Sequence, residues 1–197
     1  MKVFLKTTAL IFSILLIVMS FNKDKKIIVI DAGHGGNDKG AMYDDHLEKD
    51  IVLAVATKIK QLNKNSDLEI ILTRDSDDYP SLSERSEFVN KINPDLVISL
   101  HMNKNQHKDT DKKGVEIYYS EKNIKAEQSK MLANKLATSF NNALVKDVNL
   151  HILRESKSPA MIVELGFLNN KDDREYMTQS YGQNQTAKKI LDFLDMN

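Results

Sequence analysis

Four residues have the types and placement that hydrolytic metal chemistry asks for: His34, Glu48, His101 and Glu164. His34 stands in the glycine-rich stretch Asp31–Gly36, and His101 directly follows the apolar run Leu96–Leu100. Glu48 opens a helical pattern, and Glu164 lies within the apolar run Ala160–Leu165. Two imidazoles and one carboxylate, with one position left to water, make a known catalytic zinc set. A second carboxylate nearby then takes the proton from the water. The chain has no cysteine, so thiolate zinc sites, disulfides and cysteine nucleophiles are excluded, and any metal must be held by His, Asp or Glu. Taken singly, each residue has a plainer explanation. A lone histidine at a strand end is ordinarily a polar rim residue, and a glutamate in the first helical turn complements the helix dipole. Glu164 is harder to dismiss, because a carboxylate inside an apolar strand is costly unless paired, protonated or close to a metal.

This chemistry needs a fold that brings the four together. Short β-branched and apolar runs predict strands at Ile27–Asp31, Leu68–Thr73, Leu96–Leu100, Val115–Tyr119 and Ala160–Leu165. They are continuous rather than alternating, which means strands covered on both faces. Between them, Leu47, Ile51, Ala54, Val55, Ile59 and Leu62 recur at helical spacing. Further helices are predicted over Leu82–Lys91, with Ser81 and Glu84 as a capping box, and over Ile124–Leu144 and Gln183–Met196. Pro94 and Pro159 precede strands, where a missing N–H costs least. Strand–helix alternation predicts one α/β domain, a mostly parallel twisted β-sheet of about five to six strands with helices on both faces. In such sheets ligands bind beyond the carboxyl ends of the strands. All four candidate residues fall at that edge, which favours a site.

A rival reading of the glycines is phosphate binding. The dinucleotide fingerprint wants glycine at the sixth position from Gly33, where this chain has Asp38, and a P-loop lysine with its Ser/Thr is missing. The glycines instead permit a tight turn carrying His34 into a cleft. Charge is balanced, 28 Lys and Arg against 28 Asp and Glu, so no basic field draws in nucleic acid. At the N-terminus, Lys2 and Lys6 precede the apolar run Ala9–Phe21, which is shorter than the ~20 residues of a spanning helix. That pattern predicts export, with residues 1–22 a signal peptide or N-terminal membrane segment and residues 26–197 the folded domain.

The motifs then appear in order: DAGHGGNDKGA at Asp31–Ala41, Glu48-Lys49-Asp50, Leu72–Arg74, Leu82-x-x-Arg85, SLHMN at Ser99–Asn103, GVEIYY at Gly114–Tyr119 and PAMIVELGFLNN at Pro159–Asn170. As a set they resemble the zinc-dependent N-acetylmuramoyl-L-alanine amidases of bacterial cell-wall remodelling. The resemblance implies His34, Glu48 and His101 as ligands of one zinc ion per chain, and Glu164 as the catalytic carboxylate. It implies hydrolysis of the amide joining N-acetylmuramic acid to the L-alanine of the stem peptide. Two alternatives stand beside it: a zinc peptidase acting on stem peptides, and a non-catalytic peptidoglycan-binding regulator. The second would usually have lost one of the four residues, and all are present.

Weaker expectations attach to the neighbours. Asp31 either accepts a hydrogen bond from a ligand imidazole or merely ends its strand. Asn103 braces the His101 loop or touches substrate, and Arg74 and Arg85 tie loops to carboxylates. His46, His107 and His151 match no ligand position and are expected to be solvent-facing or structural. The compact segment between GVEIYY and PAMIVE leaves no room for the long inhibitory helix of some relatives, so the site is expected to be open. No separate wall-binding domain is expected. The partner is peptidoglycan, with an activator protein left open, and the expected form is a monomer, periplasmic or cell-wall associated, touching membrane only through its N-terminal segment.

Overall fold

The structure is a computed structural model that describes residues 25–197. The predicted export segment lies outside the described residues, and no helix among those described is long and apolar enough to cross a membrane. The strands are β1 (Lys26–Ala32), β2 (Met42–Tyr43), β3 (His46–Leu47), β4 (Leu68–Leu72), β5 (Leu96–Asn103), β6 (Glu116–Tyr119), β7 (Leu144–Asp147) and β8 (Ala160–Phe167). The helices are α1 (Glu48–Leu62), α2 (Leu82–Ile92), α3 (Ala126–Ser139), α4 (His151–Glu155), α5 (Lys171–Thr178) and α6 (Ser180–Met196). Six strands form the main sheet in the order β4-β1-β5-β8-β6-β7, and β2 pairs with β3 separately. The first four in that order run parallel; β6 is antiparallel to β8 and carries β7 parallel to itself.

Both faces are covered, as the continuous apolar runs require. On one face Ile28, Ile30, Ile98, Leu100, Met161 and Val163 pack under α1, α3 and α6 through residues such as Val55, Leu136 and Ile190. On the other, Val29, Val97, Ala160 and Ile162 meet Val89 of α2 and Ile152 and Leu153 of α4. The second face turns polar toward the carboxyl ends of the strands. Register aligns Asp31 with Ser99 and, one row on, His101 with Glu164 and Glu164 with Glu116. Side chains in one such row share a face, so the sheet itself seats His101 between its neighbours.

Several elements differ from the sequence reading, among them the short β2, β3 and α4, which were not foreseen. The helix predicted to reach Leu144 stops at Ser139, and the chain then forms β7. Asn141 and Asn142 both adopt left-handed backbone, φ 55° and 57°, which no helix accommodates. Helix α5 was not foreseen. Asn170 starts it by accepting from the N–H groups of Asp172 and Asp173. The predicted capping box holds: Ser81 Oγ accepts from the Glu84 N–H, and the Ser81 N–H donates to Glu84 Oε2.

Candidate active site

His34 leaves the end of β1 in a tight turn. It has φ 59°, and the following Gly35 pairs with Asp38 across a two-way backbone bridge. A second loop fastens the turn from outside. Asp77 accepts from the Gly36 N–H at 2.9 Å and from Lys49 Nζ at 2.7 Å, while Lys49 also donates to the Gly36 carbonyl. Arg74 is buried beneath and donates to the carbonyls of Ala32, Gly33 and Lys49. The imidazole is thus aimed by backbone geometry. Its Nδ1 is held by Asp38 Oδ2 at 2.8 Å, which turns Nε2 toward Glu48.

Glu48 is the hub. Its Oε1 lies 3.0 Å from His34 Nε2 and 3.0 Å from His101 Nδ1, and accepts from the Met102 N–H at 2.9 Å. Its Oε2 accepts from the Ala41 N–H at 2.6 Å. One ligand atom from each of His34, Glu48 and His101 lies within 4.8 Å of the others, close enough to hold one metal ion. The two imidazoles meet edge to face, with ring centroids 5.0 Å apart. Beside them, Glu164 Oε2 is buried with no hydrogen-bond partner among the described residues. A buried carboxyl oxygen left unpaired is expensive, and such atoms mark places where something else is meant to bind or react.

The structure brings His34, Glu48, His101 and Glu164 together and sorts the weaker candidates. Asp31 does not touch an imidazole. It is buried against Arg85 Nη1 at 2.6 Å and also accepts from Thr73 and Ser99. Burial opposes its charge, but Arg85 and the two hydroxyls outweigh that and keep its carboxyl below the ordinary range. The carboxylate that holds one of the two candidate imidazoles is Asp38, four residues after His34; the His-to-Asp spacing within one turn was the available signal. Arg85 reaches a carboxylate as expected, whereas Arg74 serves carbonyls instead. Asn103 donates to Tyr118 Oη and Glu116 Oε2 in the next strand. His46 and His107 are exposed. His151, however, lines the cleft that holds His34 and His101.

Gly33 lies against the His101 ring. A Cβ there would stand 2.4 Å from His101 Cε1 and 2.7 Å from Nε2. Gly33→Ala should push the ring off Glu48 and weaken metal affinity by about 10- to 100-fold, the usual effect of disturbing a ligand's support. Titration with a competing chelator measures this; unchanged affinity would show that the ring can give way without loss.

Stability of the metal-free protein should depend on pH through Glu164, His34 and Glu48. Burial pushes Glu164 up to about 7, with Glu48 and Glu116 adding to the effect against His101 and His34. Burial disfavours charge on His34, but Glu48 and Asp38 outweigh it and raise it to about 9. Burial likewise opposes charge on Glu48, but His101 and His34 hold it down at about 2. Stability from Glu164 is full below its ordinary 4.5 and lost as pH rises through about 7. That from His34 is full below its ordinary 6.5 and lost through about 9. Glu48 contributes above its ordinary 4.5 and loses that contribution as pH falls through about 2. Chelated protein should therefore resist urea better near about pH 5 than about pH 9. A midpoint that climbed steadily across this range would contradict the assignment.

Fold and site together define a hydrolase-type α/β catalytic domain with a candidate two-histidine, one-glutamate metal centre at its carboxyl edge. Residues 28–195 match the N-acetylmuramoyl-L-alanine amidase family, and the chain belongs to it. The endolysin of Bacillus phage SPP1 is 32% identical over 173 residues, an alignment covering 83% of this chain but 62% of the endolysin. Among solved structures, an N-acetylmuramoyl-L-alanine amidase from Clostridium difficile 630 superposes with a TM-score of 0.81 at 30% identity, covering 88% of this chain and 97% of that one. The CwlD amidase of Clostridioides difficile, solved in complex with the GerS lipoprotein, gives 0.76 at 27% identity over 88% and 100% of the two chains.

Proposed function

We propose that this chain is a zinc-dependent amidase acting on peptidoglycan, hydrolysing the bond between the lactyl group of N-acetylmuramic acid and the L-alanine of the stem. The observation that carries this reading is the convergence of His34 Nε2, His101 Nδ1 and Glu48 Oε1 beside the unpaired carboxyl of Glu164. Imidazole nitrogens and a carboxylate oxygen are the donors zinc takes when it keeps a position free for reaction. When bound, zinc supplies Lewis acidity, which acidifies water toward a pKa of about 7 and polarises a carbonyl.

The chain's own groups do the rest. Asp38 keeps the His34 ring turned so that Nε2 faces the centre, and the backbone donors on Glu48 stop its carboxylate from swinging. Glu164, buried beside the centre with an unpaired Oε2, is placed to accept a proton and to release it again. It takes the proton from water as oxygen adds to the lactyl carbonyl. It then gives that proton to the alanine nitrogen as the C–N bond breaks, and the water's second proton passes to the freed amine or to solvent, leaving a lactyl carboxylate and the alanine amino terminus. Exposed Glu121, whose N–H is bonded to Asp147, supports a cleft open to substrate without an internal plug. Lys2, Lys6 and the Ala9–Phe21 run support export to the wall. Purified walls treated with the protein should gain free L-alanine amino termini without new reducing sugar ends; reducing ends alone would mean glycan cleavage and refute the reading.

A further inference from the structure

The cleft beside the candidate metal centre has a volume of about 320 Å³, and His151 of α4 lines it together with His34 and His101. Pro80, Leu82, Leu150, Ile152 and Ile162 give the cleft an apolar stretch beside His151; of the polar lining, Asp31, Ser99 and Arg85 are bonded to one another and Tyr79 stands at the exposed rim. Leu82 and Leu150 are large apolar residues left 59% and 39% exposed at the rim, which is how a wall that receives a ligand looks.

The hydrogen bonds of Ser86 decide which nitrogen His151 offers. A serine hydroxyl has one hydrogen, and Ser86 gives it to the Ser83 carbonyl at 2.9 Å. Its contact with His151 Nε2, at 3.3 Å, is therefore one in which Ser86 accepts and Nε2 carries the ring hydrogen. Nδ1 is left with its lone pair and has no partner among the described residues. His151 Nδ1 is thus a free acceptor beside the apolar stretch of the cleft, whose Asp31, Ser99 and Arg85 already bond one another.

We propose that His151 is a substrate-positioning residue whose Nδ1 accepts a backbone N–H of the stem peptide, which makes this side of the cleft the peptide side. The inference rests on the amidase reading above. A muramyl sugar carries hydroxyls on its rim, and each needs a polar partner once it leaves water. This wall has few to give. An alanyl peptide presents methyl groups and N–H donors, which match Leu82, Leu150 and a lone acceptor.

The test compares the wild-type protein with His151→Phe and His151→Asn on a soluble muropeptide, with unfolding curves recorded for all three. His151→Phe keeps a ring without an acceptor. It should raise KM by about fivefold to tenfold, the scale of one lost hydrogen bond, with kcat within about twofold. His151→Asn restores an acceptor near the position of Nδ1 and should return KM to within about threefold of wild type. The same order should appear in calorimetric binding of a free stem peptide beginning with L-alanine. An active wild type with unchanged KM in His151→Phe overturns the inference alone. Equal losses in both variants, tracking their unfolding midpoints, also overturn it, because the role is then structural. A wild type that cleaves no muropeptide overturns the amidase reading, and this inference with it.

Discussion

Replacing Glu164 with Gln should lower turnover by about 10²- to 10⁴-fold, the range ascribed to a single general acid–base group, and leave fold and metal content intact. Glu164 is not one of the three residues whose atoms converge, so its loss takes no donor from the centre. Its Oε2 has no partner to lose, so a neutral amide of the same shape breaks no hydrogen bond at that atom. The substitution also removes a carboxylate whose charge is opposed by burial, so chelated Glu164→Gln should be at least as stable as wild type above about pH 7. Steady-state kinetics, metal analysis and a urea curve read the three effects separately. Turnover within about tenfold of wild type would remove Glu164 from the proton path.

Glu48→Ala should do the opposite, abolishing metal binding as well as turnover. Its two oxygens hold both imidazoles and the N–H groups of Met102 and Ala41, so truncation strips the centre of a donor and leaves those backbone groups unpaired. An orphaned N–H costs about 1–3 kcal/mol when buried, and Ala41 is only partly so, which puts the loss of stability at roughly 2–6 kcal/mol. Glu48→Gln keeps the shape and one acceptor oxygen. It should recover part of that stability but little of the affinity, because a neutral amide replaces the anionic donor. Elemental analysis after dialysis against zinc measures occupancy. A Glu48→Ala protein that still bound one zinc per chain would place the centre elsewhere.

These outcomes depend on residues far apart in sequence, and the reason they could be found there is geometric. In a parallel sheet, whatever follows a strand arrives at one edge, so His34 after β1, His101 in β5 and Glu164 in β8 had to be neighbours. Glu48 was harder to read, because a glutamate at a helix start has an ordinary explanation; its hub role comes from the turn that delivers His34 to it. Short-range signals near weak elements were not legible. β7 is a four-residue edge strand of mixed exposure following a good helical pattern, and only residues 140–143, with two left-handed asparagines among them, separate the two. Side-chain partners were read least well. Asp31 sits at a strand end where an imidazole was one plausible neighbour, yet Arg85, 54 positions away, takes it. His151 lay beyond the reach of pattern altogether, since what brings it to the cleft is the packing of α4 against α2 and the sheet.

Cleavage of the muramyl–alanine amide at this centre should occur only with its metal bound. Mass spectrometry of muropeptides digested by the protein, as prepared, after chelation, and after zinc is restored, tests both halves together. Intact stem peptides beginning at L-alanine and peptide-free muramyl sugars should appear, be lost on chelation and return with zinc. Products cut within the stem, or release that persists undiminished in chelator, would contradict that expectation.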